Sequence, residues 1–221
     1  MVNKYIDHTY LKPFALSEDI KRICREAVKY DFAAVCVNPC HVRTAASCLE
    51  GTKIKVASVV GFPFGTHTTQ TKLFETRQAL EDGASEIDMV INVGKLLEDE
   101  CGYVTSEIKA LADCCHERNA LLKVIVETCY LDEAHIAMVC GCVEDAGADF
   151  IKTSTGYGTR GASKEDIVLF RKYLKKGTKI KAAGGIRTLS DVREYVRLGC
   201  DRVGTSGGVA IAEEEQKEGL A

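Results

Sequence analysis

No apolar run in the 221-residue chain approaches the ~18 to 20 residues that a membrane helix needs. The longest, such as VASVVGF and FAAVCV, are far shorter, so no membrane partner is expected. Neither sign of charge dominates: 29 Lys and Arg stand against 32 Asp and Glu, a formal net charge of −3. Without a basic excess, nucleic acid is not an expected partner either. The opening MVNKYIDHTYLKP is charged from its fourth residue and contains no apolar signal core, which leads us to expect a cytoplasmic protein.

Several catalytic signatures are also missing. The chain has no helical HExxH pair, no G-x-S-x-G elbow, no P-loop and no early G-x-G-x-x-G fingerprint. Its five histidines (His8, His41, His67, His116 and His135) form no dyad that spacing can identify, and surface or locally bonded roles are expected for them. The 11 cysteines include no paired C-x-x-C framework. The groups closest to a ligand set are Cys36, Cys40 and His41, then Cys114, Cys115 and His116, then Cys140 and Cys142. Several thiols fall at apolar positions of helical or strand patterns, where a reduced cysteine acts as a small core residue. We therefore expect free thiols, and neither a metal site nor a disulfide scaffold.

What the chain does contain is alternation. Hydrophobic residues make up 46% and charged residues 28%, a composition typical of a globular protein. Eight short β-type runs occupy residues 4–9, 33–38, 54–60, 86–92, 121–127, 149–154, 179–184 and 201–206. Amphipathic helical patterns lie between them. One begins near Ser17 as N-cap, turns Ile20, Ile23, Cys24, Ala27 and Val28 to one face, and ends near Asp31; two others stop at Gly83 and Gly199. Regular strand–helix alternation implies parallel strands with right-handed crossovers. Eight units favour an α/β fold of the (β/α)8 TIM-barrel type over residues 1–221 as one catalytic domain, with a doubly wound open sheet as the alternative. The acidic tail AEEEQKEGLA reads as a solvated helix end.

In such barrels the chemistry lies at the C-terminal ends of the strands, where polar residues interrupt apolar runs. That rule selects Asp7, Asn38, Asp88, Asn92, Glu127, Lys152 and Lys181. Lys152 in FIKTSTG and Lys181 in KIKAAGG lie on consecutive strands, and strands ~4.8 Å apart bring such ammonium groups within roughly 5 to 8 Å of each other. A free lysine, with pKa near ~10.4, is a poor nucleophile at neutral pH. A second cation and partial desolvation lower that pKa, and the neutral amine attacks a carbonyl to give an imine that acts as an electron sink. A strand lysine on its own more often reaches to solvent or pairs with a carboxylate such as Asp88 or Glu127. Two of them beside carboxylates and glycine turns shift the balance toward chemistry.

Asp88 inside the barrel needs a cationic partner, and it could hold a lysine or relay protons through water. Asp7 occupies the matching place on the first strand. TSTGYGTRG, AAGGIRT and VGTSGG follow the last three strands and offer exposed backbone N–H groups, the usual phosphate-holding arrangement in barrels.

These segments resemble the deoxyribose-phosphate aldolase family along essentially the whole chain: YIDHTYLKP, VCVNP, VASVVGFPFG, TKLFET, EIDMVIN, LKVIVET, ADFIKTSTGYG, IKAAGGIRT and RVGTSGG appear in the family's order. The resemblance implies a class I aldolase that cleaves 2-deoxy-D-ribose 5-phosphate to D-glyceraldehyde 3-phosphate and acetaldehyde. It implies no cofactor or metal, small phosphorylated sugar and aldehyde partners, and a homodimer or higher homo-oligomer. It assigns imine formation to Lys152, perturbation of that lysine to Lys181 and proton relay to Asp88. The family's phosphate pocket falls to Gly156, Gly184, Gly185, Gly204 and Ser206, and Asp7, chosen from its place on the first strand, is expected with them among the substrate-binding residues. Some family members place a terminal tyrosine in the active site, whereas EEEQKEGLA holds no aromatic residue; a water relay around Asp88 and the two lysines is expected in its place. Two other readings stay open on the residues alone: an imine-forming enzyme for another phosphorylated sugar, and a phosphosugar-binding barrel without turnover.

Overall fold

Each of the eight β-type runs forms a strand in the computed structural model, which describes residues 1–219: β1 (Ile6–Tyr10), β2 (Ala34–Val37), β3 (Lys55–Val60), β4 (Glu86–Val90), β5 (Leu121–Ile125), β6 (Phe150–Lys152), β7 (Lys179–Ala183) and β8 (Arg202–Thr205). Every neighbouring pair is parallel, and β1 pairs with β8, so the sheet closes into a barrel and the open-sheet alternative is excluded. The helices α1 (Ser17–Tyr30), α2 (Val42–Leu49), α3 (Thr69–Glu81), α4 (Val93–Leu97), α5 (Cys101–His116), α6 (Glu133–Asp145), α7 (Lys164–Tyr173) and α8 (Leu189–Arg197) supply the crossovers, and α9 (Gly208–Glu218) follows β8.

Local chemistry sets the element ends. Asp31 closes α1 in the left-handed region at φ 56°, and Gly83 and Gly199, at φ 106° and 101°, follow α3 and α8 as stops. At the start of α1 the cap falls one residue earlier than Ser17. Leu16 is extended there, and its N–H donates to the Asp19 carboxylate at 3.0 Å, which satisfies the first turn from the third helical position. Ser163 and Thr188 cap α7 and α8 by accepting from the N–H groups of Asp166 and Asp191. The acidic run in α9 is largely exposed, as a solvated helix end requires; Leu220 and Ala221 lie outside the described residues.

The main apolar core lies between the outer face of the barrel and the helices, where Val35, Val37, Ile87, Met89, Val124 and Ile151 meet helical residues such as Ile20, Ile23 and Ala27. Val28, expected on the same face of α1, is instead 48% exposed; Tyr30, two positions beyond the expected set, is buried. All 11 cysteines are free, and seven are buried. No described helix is long and apolar enough to cross a membrane.

Candidate active site

The lumen is filled by charge rather than by branched aliphatic side chains. Side chains alternate across a strand, so alternate strands contribute layers of four to a barrel interior. Register places Ala34, Glu86, Phe150 and Arg202 lowest, then Asp7, Ala57, Lys123 and Lys181, then Cys36, Asp88, Lys152 and Gly204 toward the C-terminal mouth.

Asp88 is the hub. Its Oδ2 accepts from Lys152 Nζ and Lys181 Nζ, both at 2.7 Å, and its Oδ1 accepts from Lys123 Nζ at 2.7 Å. Lys123 also pairs with Glu86 at 2.7 Å. Asp7 accepts from Lys181 and from Arg202, and Arg202 reaches Glu86 at 2.7 Å. Three carboxylates thus face four cations, all within one buried lumen.

The four cations do not share this environment equally. Burial disfavours the charge on Lys181, but Asp7 and Asp88 outweigh it and hold its pKa above the usual lysine value. Lys123 is raised in the same way: Asp88, Glu86 and Asp7 overcome burial. Lys152 goes the other way. Burial, reinforced by Lys181, outweighs Asp88 and brings its pKa below that of an ordinary lysine. Burial pushes against both lumen aspartates, yet the surrounding cations bring Asp7 down to about 2 and hold Asp88 well below the usual carboxylate value. The most easily neutralised cation of the cluster is therefore Lys152.

Lys152 also borders the open space. A cavity of about 490 Å³ lies at the mouth, and Lys152, Gly156, Gly184, Gly185, Gly204 and Ser206 all line it. Gly156 and Gly184 sit at φ 87° and 88°, and a Cβ on Gly184 would lie 2.9 Å from Gly161 Cα. The loops after β6 and β7 approach this closely because neither carries a side chain at the crossing. Asp88, in the same layer as Lys152, and Lys181, one layer lower, are fully buried. Asp7, expected among the substrate-binding residues, is also below the cavity and spends its carboxylate on Lys181 and Arg202.

The other strand-end residues are spread around the mouth. Asn92 caps α4 by accepting from Lys95 N–H at 3.2 Å. Glu127, left-handed at φ 53°, receives both the N–H and the hydroxyl of Thr155 and so braces the loop after β6. Asn38 reaches the Lys12 carbonyl. Cys36 faces the lumen, and burial together with Asp88 raises its pKa, which keeps the thiol protonated. His8, His116 and His135 are each bonded to a nearby carboxylate: Glu26, Asp149 and Asp132.

Lys123, Glu86 and Arg202 were not selected from the sequence, because they lie low in their strands and the selection rule looked at strand ends. A signal existed for Lys123: a cation between Leu122 and Val124 has no apolar reason to be there.

Comparison with known proteins follows the same lines. Residues 1–213 match the family described as DeoC/LacD family aldolase. The chain is 60% identical to the deoxyribose-phosphate aldolase of Treponema denticola over 210 residues, covering 95% of this chain and 97% of that one. It is 50% identical to the deoxyribose-phosphate aldolase of Thermococcus gammatolerans over 214 residues, covering 96% and 95%. Among solved structures, a putative deoxyribose-phosphate aldolase from Coccidioides immitis superposes with a TM-score of 0.94 at 41% identity, covering 97% of this chain and 85% of that one. The deoxyribose phosphate aldolase of Aeropyrum pernix, described as a unique tetramer, gives a TM-score of 0.91 at 32% identity, covering 98% and 92%.

Proposed function

We propose a lysine-imine mechanism for this chain, which belongs to the DeoC/LacD family of aldolases. Its activity is that of a deoxyribose-phosphate aldolase, the reversible cleavage of 2-deoxy-D-ribose 5-phosphate to D-glyceraldehyde 3-phosphate and acetaldehyde. The observation that carries the mechanism is the position of Lys152, a lysine with lowered pKa that joins the charged lumen to the cavity.

Neutral Lys152 Nζ attacks C1 of the open-chain sugar and, with loss of water, forms a protonated imine. The C3 hydroxyl gives up its proton, the C2–C3 bond breaks, and its electron pair passes into the imine as an enamine. D-Glyceraldehyde 3-phosphate departs with C3 to C5. Reprotonation at C2 and hydrolysis release acetaldehyde and restore the amine. Lys181 stays charged throughout, paired with Asp7 and Asp88, and its charge favours the neutral form of Lys152. Asp88 is too acidic to hold a proton itself. It orients both lysines, and water at Lys152 carries the proton between C3 oxygen and C2.

The glycine-lined wall of Gly156, Gly184, Gly185 and Gly204, with Ser206, receives the phosphate. One barrel carries every group this scheme uses. A homo-oligomer is the assembly in keeping with the tetrameric Aeropyrum pernix relative, and a cytoplasmic location suits a metabolic aldolase. The test is release of acetaldehyde from 2-deoxyribose 5-phosphate by the purified chain in the presence of a chelator. Cleavage that stops on chelation would contradict an imine mechanism.

A further inference from the structure

A fully buried ion pair lies outside the lumen, between two helices of the outer ring. Lys72 on α3 donates to Glu107 on α5 at 2.9 Å, and neither side chain reaches solvent. The imine scheme uses neither residue. A buried pair of this kind adds little stability over apolar side chains of the same volume, and burial here outweighs Glu107 and lowers the Lys72 pKa. Joining two helices does not by itself account for it.

Both partners reach loops at the C-terminal mouth of the barrel. Glu107 Oε2 accepts from Asn92 N–H at 3.2 Å, which fixes the segment that leaves β4 beyond Asp88. On α3, Glu75 accepts from Gly61 N–H at 2.7 Å, and the Lys72 stem lies so close that a Cβ on Gly61 would meet Lys72 Cε at 2.8 Å. Gly61 is left-handed at φ 61° and begins the loop GFPFG after β3. That loop folds back, with Gly65 N–H donating to the Gly61 carbonyl at 2.7 Å, and it rests on the segment after β4, where a Cβ on Gly65 would overlap the Ile91 carbonyl oxygen. The ion pair thus ties two loops to the helical shell and to each other.

Phe62 rides on the first of these loops. With Leu11 it packs over the lumen-facing residues Cys36, Ala57 and Val59, an apolar patch on the β2–β3 side of the mouth, away from the glycine wall. Cys36 shares the layer of Lys152 and acts on its ionisation. The Phe62 ring also meets Tyr157 edge-on at 5.5 Å, and the Tyr157 hydroxyl donates to the Leu11 carbonyl at 2.9 Å, which closes the patch toward the loop after β6.

We propose that Lys72 and Glu107 are positioning residues for the reaction: by fixing the loops after β3 and β4 they hold Phe62 over the lumen, and the ring keeps bulk water from Lys152. This rests on the aldolase reading and adds to it the device that keeps the amine dry.

The test reads the acid limb of the kcat/KM–pH profile for 2-deoxyribose 5-phosphate. The charged and titratable groups facing Lys152 are Asp88 from β4, Lys181 from β7, Cys36 from β2 and Glu127 after β5, and the loop GFPFG carries none. A wetter Lys152 holds its proton more tightly, so Phe62→Ala, Lys72→Met and Glu107→Gln are each expected to move the limb to higher pH by about half a unit or more. Met keeps the stem without the ion pair, and Gln keeps the volume but offers one acceptor to two donors. A direct effect of charge on Lys152 would move the limb up for Lys72→Met and down for Glu107→Gln, whereas positioning moves both up. In the Phe62→Ala background, Lys72→Met is expected to add less than about 0.2 unit, because the two act through one contact. Circular dichroism checks folding, and the isosteric Glu107→Gln carries the test if Lys72→Met does not fold. Folded variants of the pair with limbs within about 0.2 unit of wild type, a downward shift in Glu107→Gln, or full additivity with Phe62→Ala overturn the proposal. The same ionisation is read without turnover as the pH dependence of Lys152 alkylation by acetaldehyde and cyanoborohydride, located by peptide mass spectrometry. A wild type that cleaves no 2-deoxyribose 5-phosphate while the variants show these shifts in alkylation defeats the aldolase reading and leaves the positioning device standing.

Discussion

Lys152 and Lys181 are direct register partners on β6 and β7 and donate to the same carboxylate oxygen, yet their pKa values move in opposite directions. The difference lies in their second partners. Lys181 has Asp7 as well as Asp88, and Lys152 has Asp88 alone. A matched pair of residues is thereby divided into a strongly held cation and an amine whose proton is held less tightly than an ordinary lysine's.

Replacing Lys152, the proposed nucleophile, tests the amine half of that division. Lys152→Arg keeps a cation beside Asp88 and so preserves the lumen charge, but a guanidinium does not form an imine. Acetaldehyde release is expected to fall by at least about a thousandfold with an unchanged circular dichroism spectrum. Turnover near the wild-type rate would remove Lys152 from its role.

The strongly held cation is tested by Lys181→Leu. Loss of the neighbouring charge makes protonated Lys152 less unfavourable, so its pKa rises. Attack requires the neutral amine, and the acid limb of the kcat/KM–pH profile is therefore expected to move to higher pH. An unmoved limb would show that Lys181 does not set the ionisation of Lys152.

Asp88→Asn removes the carboxylate that three lysines share. Breaking a buried ion pair by deleting one partner costs about 3 to 5 kcal/mol, since uncompensated charge stays behind. Chemical denaturation is expected to show a loss of that size together with loss of cleavage. A variant as stable as the wild type would mean that the lumen cations are balanced without Asp88.

Acid sensitivity follows from the same depressed carboxylates. Asp7 titrates at about 2 in the folded chain and near ~3.9 when unfolded, so below that upper value the unfolded state binds more protons. The stability Asp7 contributes is complete above pH ~4 and is lost as pH falls toward about 2. Thermal melts between about pH 2 and about pH 6, which span this titration, are expected to fall more steeply for wild type than for Asp7→Asn. Equal slopes would place the acid-labile groups elsewhere.

Much of this site was legible in the sequence because a cation or carboxylate inside an apolar strand is costly without a partner. Lys152, Lys181 and Asp88 each break such a run, and the structure brings both lysines onto the Asp88 carboxylate. The same reasoning placed Asp7 beside substrate. Its height in β1 depends on barrel stagger, which one strand does not encode, and it lies a layer below the cavity. Glu86 and Arg202 sit at the first positions of β4 and β8, where charged residues ordinarily face solvent; only closure of the barrel turns them inward onto each other. The exposure of Val28 and the cap at Leu16 depend in the same way on local geometry, here the start and phase of α1, finer than the hydrophobic period resolves.

The most direct measurement is borohydride reduction of the chain in the presence of 2-deoxyribose 5-phosphate, followed by peptide mass spectrometry. A substrate-derived adduct on Lys152, with Lys181 and Lys123 unmodified, is the expected result. Folded, active protein with Lys152 unmodified, or an adduct confined to Lys181, would contradict the assignment.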